Sequence, residues 1–197
     1  MERNSLSKDP FTQFEKWFQD AQAAEMPYPH AMSLATASAT GVVSSRIVLL
    51  RYFDAKGFIF FSATNTLTAQ QIDENAQVSL LFPWLVLERQ VKVMGTAVSL
   101  PTPEVLRFFT TRRRATQMGT WLAESGGVVT SRSVMQAKWA EIKQKFRDGQ
   151  IPMPDFWGGY RIVPQSIEFW QGNPDGLHDR FVYTRQDEKW EVLRLLP

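Results

Sequence analysis

The sequence predicts a mainly β protein with inserted α-helices, folded as an antiparallel barrel. Three observations carry this. Short apolar or alternating runs fill both ends of the chain and are joined mostly by hairpin-length turns. Helical periodicity is confined to a few segments between them. Strands and helices do not alternate as βαβ units, and neither G-x-G-x-x-G nor G-x-x-x-x-G-K-[ST] occurs, which removes the usual helix-terminus nucleotide cradles.

The first element is a helix. Asp9 precedes Pro10, and Phe11, Phe14, Trp17, Phe18 and Ala21 follow at three- and four-residue spacing: an N-cap, a proline at the first helical position and an apolar stripe. Pro27 and Pro29 end it. Residues 31–38, 42–53 and 58–63 read as strands separated by turn signals at 39–41 and 54–57. A short helix fits 66–75, with strands at 77–82 and 87–100. Thr102-Pro103-Glu104 opens a helix carrying Val105, Phe108 and Phe109 by the same cap logic. The clearest helical pattern spans 131–146, where Met135, Trp139, Ile142 and Phe146 recur at intervals of four, three and four. Strands return at 159–163, 166–171, 181–184 and 189–195. With no repeat, low-complexity tract or long linker, residues 1–197 read as a single domain.

Composition narrows the function classes. Of 197 residues 44% are hydrophobic and 13% aromatic, which suits a buried core, and cysteine is absent, which removes disulfides, thiolate metal sites and a cysteine nucleophile. Two histidines, His30 and His178, make a histidine-based metal centre improbable. Lys+Arg and Asp+Glu number 22 and 20, so the net charge of +2 is a near cancellation and nucleic acid is not implied. Residues 1–10 hold charges of both signs, and the uncharged stretch 26–45 is rich in Ser, Thr, Ala and Pro. No leader or membrane span is expected, and the expected location is cytoplasmic.

Four clusters could carry chemistry, and each has a plain structural reading. Arg46 and Arg51 bracket an apolar strand and, five residues apart, would face opposite ways on a regular one; arginines at strand ends are ordinarily solvated. Gln90 lies in the alternating run 87–93, opposite Arg89 and Val91, where a glutamine is ordinarily a surface residue. Arg112, Arg113 and Arg114, with Thr116 and Gln117, follow a helix; such a run is ordinarily a solvated loop, but a guanidinium fork also suits phosphate. The aromatic- and glycine-rich segments 156–161, 168–172 and 177–181 suit either a core or a platform for a flat ligand, and His178 and Arg180 would share a strand face.

Taken in order, Arg-Ile-Val-Leu-Leu at 46–50, Val-Ser-Leu-Leu-Phe-Pro-Trp at 78–84, Glu-Arg-Gln-Val at 88–91, Phe-Trp-Gly-Gly at 156–159, Glu-Phe-Trp-Gln-Gly at 168–172 and Leu-His-Asp-Arg-Phe at 177–181 resemble the pyridoxamine 5′-phosphate oxidase family. The resemblance runs through most of the chain. It implies a split β-barrel of the FMN-binding type, with flavin at a homodimer interface. It also implies oxidation of pyridoxamine or pyridoxine 5′-phosphate to pyridoxal 5′-phosphate, with dioxygen as acceptor and hydrogen peroxide released. The hydride chemistry then belongs to the cofactor, and the protein positions two flat molecules.

Carried over by position, the resemblance assigns Arg46, Ile47, Val48, Leu49, Phe61, Ser62, Gln90, Trp170 and Arg180 to FMN, with Arg46 near its phosphate. It assigns Arg51, Arg112, Thr116 and His178 to the substrate, with His178 beside the reacting ring as the catalytic candidate. No metal is implied.

Several positions depart from the family pattern. Leu67-Thr68 stands for an Arg-Lys pair on the FMN phosphate, Ser125-Gly126 for a Gln-Ser pair, Phe108 for a substrate tyrosine and Gly176 for an arginine. Two lost charge-assisted bonds weaken FMN by about 3 to 6 kcal/mol, on the order of 10² to 10⁴ in dissociation constant. Hydroxyls of Thr64, Thr66 and Thr68 are expected to offset part of this. The departures leave two other functions open: a related flavin oxidase acting on another small amine or reduced-ring substrate, and a non-catalytic homologue that binds flavin or pyridoxal phosphate.

Overall fold

The computed structural model describes residues 1–125, 129–187 and 189–197. The chain forms two compact units, the first comprising Met1–Phe60, Gln71–Val98 and Arg161–Pro197 and the second Phe61–Gln70 and Ser99–Tyr160.

The first helix, α1 (Pro10–Ala23), begins as expected: Asp9 caps it by accepting from the Thr12 N–H at 2.7 Å. Then come β1 (Ala31–Ala37), β2 (Val43–Leu49), β3 (Tyr52–Asp54) and β4 (Gly57–Ala63), helix α2 (Leu67–Glu74), β5 (Gln77–Trp84) and β6 (Arg89–Ser99). Helices α3 (Thr102–Thr111), α4 (Arg114–Thr120) and α5 (Arg132–Lys145) follow, and β7 (Trp157–Gln171), β8 (Asp179–Gln186) and β9 (Lys189–Leu195) end the chain. The strands form one nine-stranded sheet in the order β2-β1-β5-β6-β7-β4-β3, with β8 on β7 and β9 on β8. The registers of β1 with β2 and β5, β3 with β4, β5 with β6, β7 with β8 and β8 with β9 are all antiparallel. The mainly β, antiparallel architecture matches the expectation.

In the first unit the apolar stripe of α1 meets an aromatic core. Phe14 is fully buried, with its ring 4.9 Å from each of Phe53, Phe58 and Phe82, and Trp17 stands edge-on to Phe169 at 5.2 Å. The second unit has its own core of Phe109, Phe146 and Ile151, flanked by Met118, Trp121, Ile142, Met153 and Trp157.

Four local expectations are corrected. The strand expected over 42–53 breaks at Leu50–Arg51, so Arg46 and Arg51 do not lie on one regular strand. The two strands expected at 159–163 and 166–171 are the single strand β7, which runs through Pro164. Gly95 makes this passage possible, because a Cβ there would lie 2.3 Å from the Val163 carbonyl oxygen and 2.9 Å from Pro164 Cα. Thr102 is the first residue of α3, not its cap, and Pro101 precedes it without a side-chain cap. The stripe of α5 buries only Phe146, just past its last residue, while Met135 is exposed. Helix α4 follows directly, with Arg112, Arg113 and Arg114 at the joint between α3 and α4.

Candidate functional site

Within the first unit, β2 is an outer strand of the sheet and pairs with β1. The Ser38 N–H donates to the Val42 carbonyl at 3.0 Å and the Leu50 N–H to the His30 carbonyl at 2.8 Å. Antiparallel bonding alternates, so the even-numbered residues between face β1 and the amides and carbonyls of Val43, Ser45, Ile47 and Leu49 turn outward. The Ile47 side chain is exposed, while Val48 and Leu49 are half-buried. This edge can offer alternating donors and acceptors to a planar ligand.

Arg46 occupies a polar cluster on the same strand. Its Nη1 donates to the Leu34 carbonyl at 3.1 Å and to Thr36 Oγ1 at 2.7 Å, and its Nη2 donates to Ser44 Oγ. Gln71 Oε1 then accepts from both Thr36 and Ser44 at 2.6 Å. Burial holds the Arg46 guanidinium below its ordinary range, yet it stays charged at neutral pH. Among the described residues its Nε–H and second Nη2–H have no partner, and two such donors suit an anionic oxygen.

A second group gathers on strands β6, β7 and β8. Trp170 pairs in register with Arg180 and packs against the His178 ring at 4.8 Å. His178 lies one residue before β8, and its Nδ1 accepts from the Asn173 N–H at 3.2 Å, which leaves a neutral ring its proton on Nε2. Arg180 donates through Nε to Glu168 Oε1 at 3.0 Å and through Nη1 to the Leu196 carbonyl at 2.9 Å. Gln90, half-buried on β6, has no hydrogen-bond partner for its amide among the described residues. Between His178 and Arg180, Asp179 is buried. Burial alone would raise its carboxyl, but the Met1 ammonium, Asn173 and Arg194 hold it at about 2.

Arg51 is exposed, and its backbone N–H donates to Ile59 at 2.9 Å. Burial, and then the charge of Arg51, lower His30 from its ordinary pKa. Gly176 closes a turn whose N–H donates to the Asn173 carbonyl at 3.1 Å, with φ +76°. A side chain at 176 is therefore strained by the backbone whatever space surrounds it.

In the second unit Phe61 and Phe108 stack nearly parallel, centroids 3.9 Å apart. Gly159 makes room for Phe61, since a Cβ there would sit 2.7 Å from its ring. Arg112 packs over Trp157 at 4.6 Å and donates to Thr120 Oγ1 at 2.7 Å, while Thr116 is exposed on α4. Ser62 is half-buried on β4. Leu67 is exposed at the start of α2. Thr64 and Thr66 donate their hydroxyl protons to the Phe156 and Ala63 carbonyls at 3.1 and 3.0 Å. This corrects the compensation expected of them: each hydroxyl has one proton, already committed, and only Thr68 keeps its own among the described residues. Ser125 ends a short 3₁₀ turn, and Gly126 lies outside the described residues.

These groups fit FMN in part. The edge of β2, Gln90 and the half-buried Trp170 suit the ring system, and Arg46 and Arg180 retain donors for anionic or carbonyl oxygens. The segment 64–68 supplies no cation. The sequence reading missed Lys92 and Glu168, although Lys92 shares the alternating face of Gln90 and Glu168 stands two residues before Trp170. Among the described residues no three acidic or histidine side chains gather as a metal site, and no helix is long and apolar enough to cross a membrane.

Comparison with known proteins gives the family. A model described as pyridoxamine 5′-phosphate oxidase matches residues 18–146, and one described as the pyridoxine 5′-phosphate oxidase C-terminal dimerisation region matches 157–197. A pyridoxine/pyridoxamine 5′-phosphate oxidase of Crocosphaera subtropica is 54% identical, covering 99% of this chain and 92% of its own. One from Escherichia coli O157:H7 is 44% identical, covering 100% and 90%. Among solved structures, PhzG from Burkholderia lata 383 in complex with tetrahydrophenazine-1-carboxylic acid superposes with a TM-score of 0.92 at 27% identity, covering 98% and 95%. A pyridoxamine 5′-phosphate oxidase-related, FMN-binding protein of Nostoc punctiforme shares the fold, with a TM-score of 0.77 at 15% identity and coverage of 98% and 100%. The split barrel is thus the fold of this chain, and the chain belongs to the pyridoxamine 5′-phosphate oxidase family of oxidoreductases.

Proposed function

We propose that this chain is an FMN-dependent oxidase that converts pyridoxamine or pyridoxine 5′-phosphate to pyridoxal 5′-phosphate, with dioxygen as acceptor and hydrogen peroxide as by-product. The observation that carries this is Arg46: a charged, half-buried guanidinium with two donors left over, beside the outward-facing edge of β2. Bound FMN supplies the hydride acceptor and the route to dioxygen. The chain's own residues bind and orient. Arg46, Ile47, Val48, Leu49, Gln90, Trp170 and Arg180 of the first unit, and Phe61 and Ser62 of the second, are assigned to FMN. Arg51, Arg112 and Thr116 are assigned to the substrate phosphate, and His178 to the substrate ring. His178 can donate from Nε2, because Asn173 occupies Nδ1 as a donor. Residues 1–197 then act as one functional domain, as a homodimer located in the cytoplasm; the match of 157–197 to a dimerisation region supports the pairing.

Purified protein with FMN and pyridoxamine 5′-phosphate in air is expected to yield the aldehyde and hydrogen peroxide. Inactivity with flavin demonstrably bound sinks this substrate assignment. A second reading, oxidation of a reduced-ring substrate, is favoured by the Phe61–Phe108 stack and by the likeness to PhzG with its tetrahydrophenazine ligand. Bleaching of bound flavin by reduced-ring compounds, and not by the vitamin phosphates, would select it.

A further inference from the structure

Glu168 is the most enclosed charge on the sheet face that carries Gln90, Trp170 and Arg180. Its side chain is 8% exposed, against 40% for Lys92 and 28% for Arg180. Oε2 accepts from Lys92 Nζ at 2.6 Å, and Oε1 accepts from Arg180 Nε at 3.0 Å and Nη2 at 2.9 Å. Strand alternation puts Glu168 and Trp170 on one face of β7 and Gln90 and Lys92 on one face of β6, while Arg180 is the register partner of Trp170. Five side chains therefore share one surface, and Glu168 is the one anion among these five.

The donor count of Arg180 shows what this carboxylate does. A guanidinium has five N–H groups; Glu168 takes one on Nε and one on Nη2, and Leu196 takes one on Nη1. One N–H on each terminal nitrogen remains, and both point where the grip on Nε and Nη2 turns them. Without that grip a long, half-exposed arginine samples many rotamers. Lys92 balances the second oxygen, so the surface keeps a net positive charge. Burial alone would raise the Glu168 carboxyl, but hydrogen bonds and charge from Lys92 and Arg180 bring it below its ordinary range, so it is ionised at neutral pH.

We propose that Glu168 is a positioning residue for the flavin: it holds the Arg180 fork so that the two remaining N–H donors meet the cofactor. The inference rests on the assignment of FMN to this chain. A general stabilising ion pair would lower thermal stability when broken but would leave no dependence on Arg180 in flavin affinity.

The test is a double-mutant cycle on the full-length protein, read by quenching of FMN fluorescence. E168Q and R180K are each expected to weaken FMN about tenfold, and the double variant no more than either single one, because both remove the same oriented fork. The absorption envelope of bound flavin should change alike in the two single variants. Wild-type affinity in E168Q overturns the inference, and so do multiplied losses in the double variant. If E168Q does not fold, R180K decides the matter: wild-type affinity there means that no oriented fork is needed. Absence of quenching by the wild-type protein would instead overturn the assignment of FMN itself.

Discussion

The cations of the first unit assigned to flavin keep donors in reserve: Arg46 is fixed by Leu34, Thr36 and Ser44 yet retains two N–H groups, and Arg180 is fixed by Glu168 and Leu196 yet retains two more. In the second unit, several groups that face the proposed ligands are drawn into protein contacts. Arg112 packs on Trp157 and bonds Thr120, Thr64 and Thr66 spend their protons on carbonyls, and Phe61 stacks on Phe108. Binding capacity is set by donors left over after folding, not by the number of polar residues nearby. On the proposed assignment, the leftover donors of Arg46 and Arg180 serve the flavin.

The largest effect is expected at Arg46. R46A should weaken FMN about a hundredfold or more in a fluorescence titration, since two charge-assisted bonds are lost together. A change under about threefold would mean that the leftover donors do not serve the cofactor.

A smaller effect in the opposite direction is expected when charge returns to the second unit. In L67R/T68K, FMN should bind about tenfold tighter or better, with a steeper dependence on salt. Leu67 is exposed, so a cation there can reach a ligand without repacking the core. Unchanged affinity would separate this segment from the flavin phosphate.

R112A sharpens the contrast further. Removing the guanidinium should raise KM for a phosphorylated substrate about tenfold with kcat little changed. It should also lower apo-protein stability by about 1 to 2 kcal/mol, because the Trp157 and Thr120 contacts go with it. A stability loss with normal KM would make Arg112 purely structural.

The smallest effect concerns pH. Asp179 is held at about 2 against an ordinary 3.8, so its stabilising contribution is complete above 3.8 and is lost as pH falls through about 2. D179N should flatten the acid limb of a stability profile across that window while leaving neutral pH profiles parallel. An unchanged limb would show that the Met1, Asn173 and Arg194 contacts of the Asp179 carboxylate add nothing to the fold.

Much of this was legible beforehand for reasons particular to each residue. Asp9-Pro10 states a helix start locally, and the β strands around Gln90 and Trp170 follow from alternation. The continuity of β7 through Pro164 was not legible, because it depends on Gly95 of a neighbouring strand. Nor was the break at Leu50–Arg51. The site residues came from resemblance, whereas their donor counts came from the structure. Lys92 and Glu168 were hidden because each looks like an ordinary strand charge until β6 and β7 are set side by side. The turn at Gly176 shows the reverse case: the lost arginine is visible in the sequence, but the left-handed backbone that disfavours it is not.

On the proposed assignment the leftover donors of the first unit hold FMN despite the neutral segment 64–68. Titration of the apo-protein with FMN, followed by flavin fluorescence, tests it most directly. Saturable quenching with a dissociation constant of about micromolar order is the expected result. A signal that stays linear in added FMN to about a hundred times that concentration would contradict it.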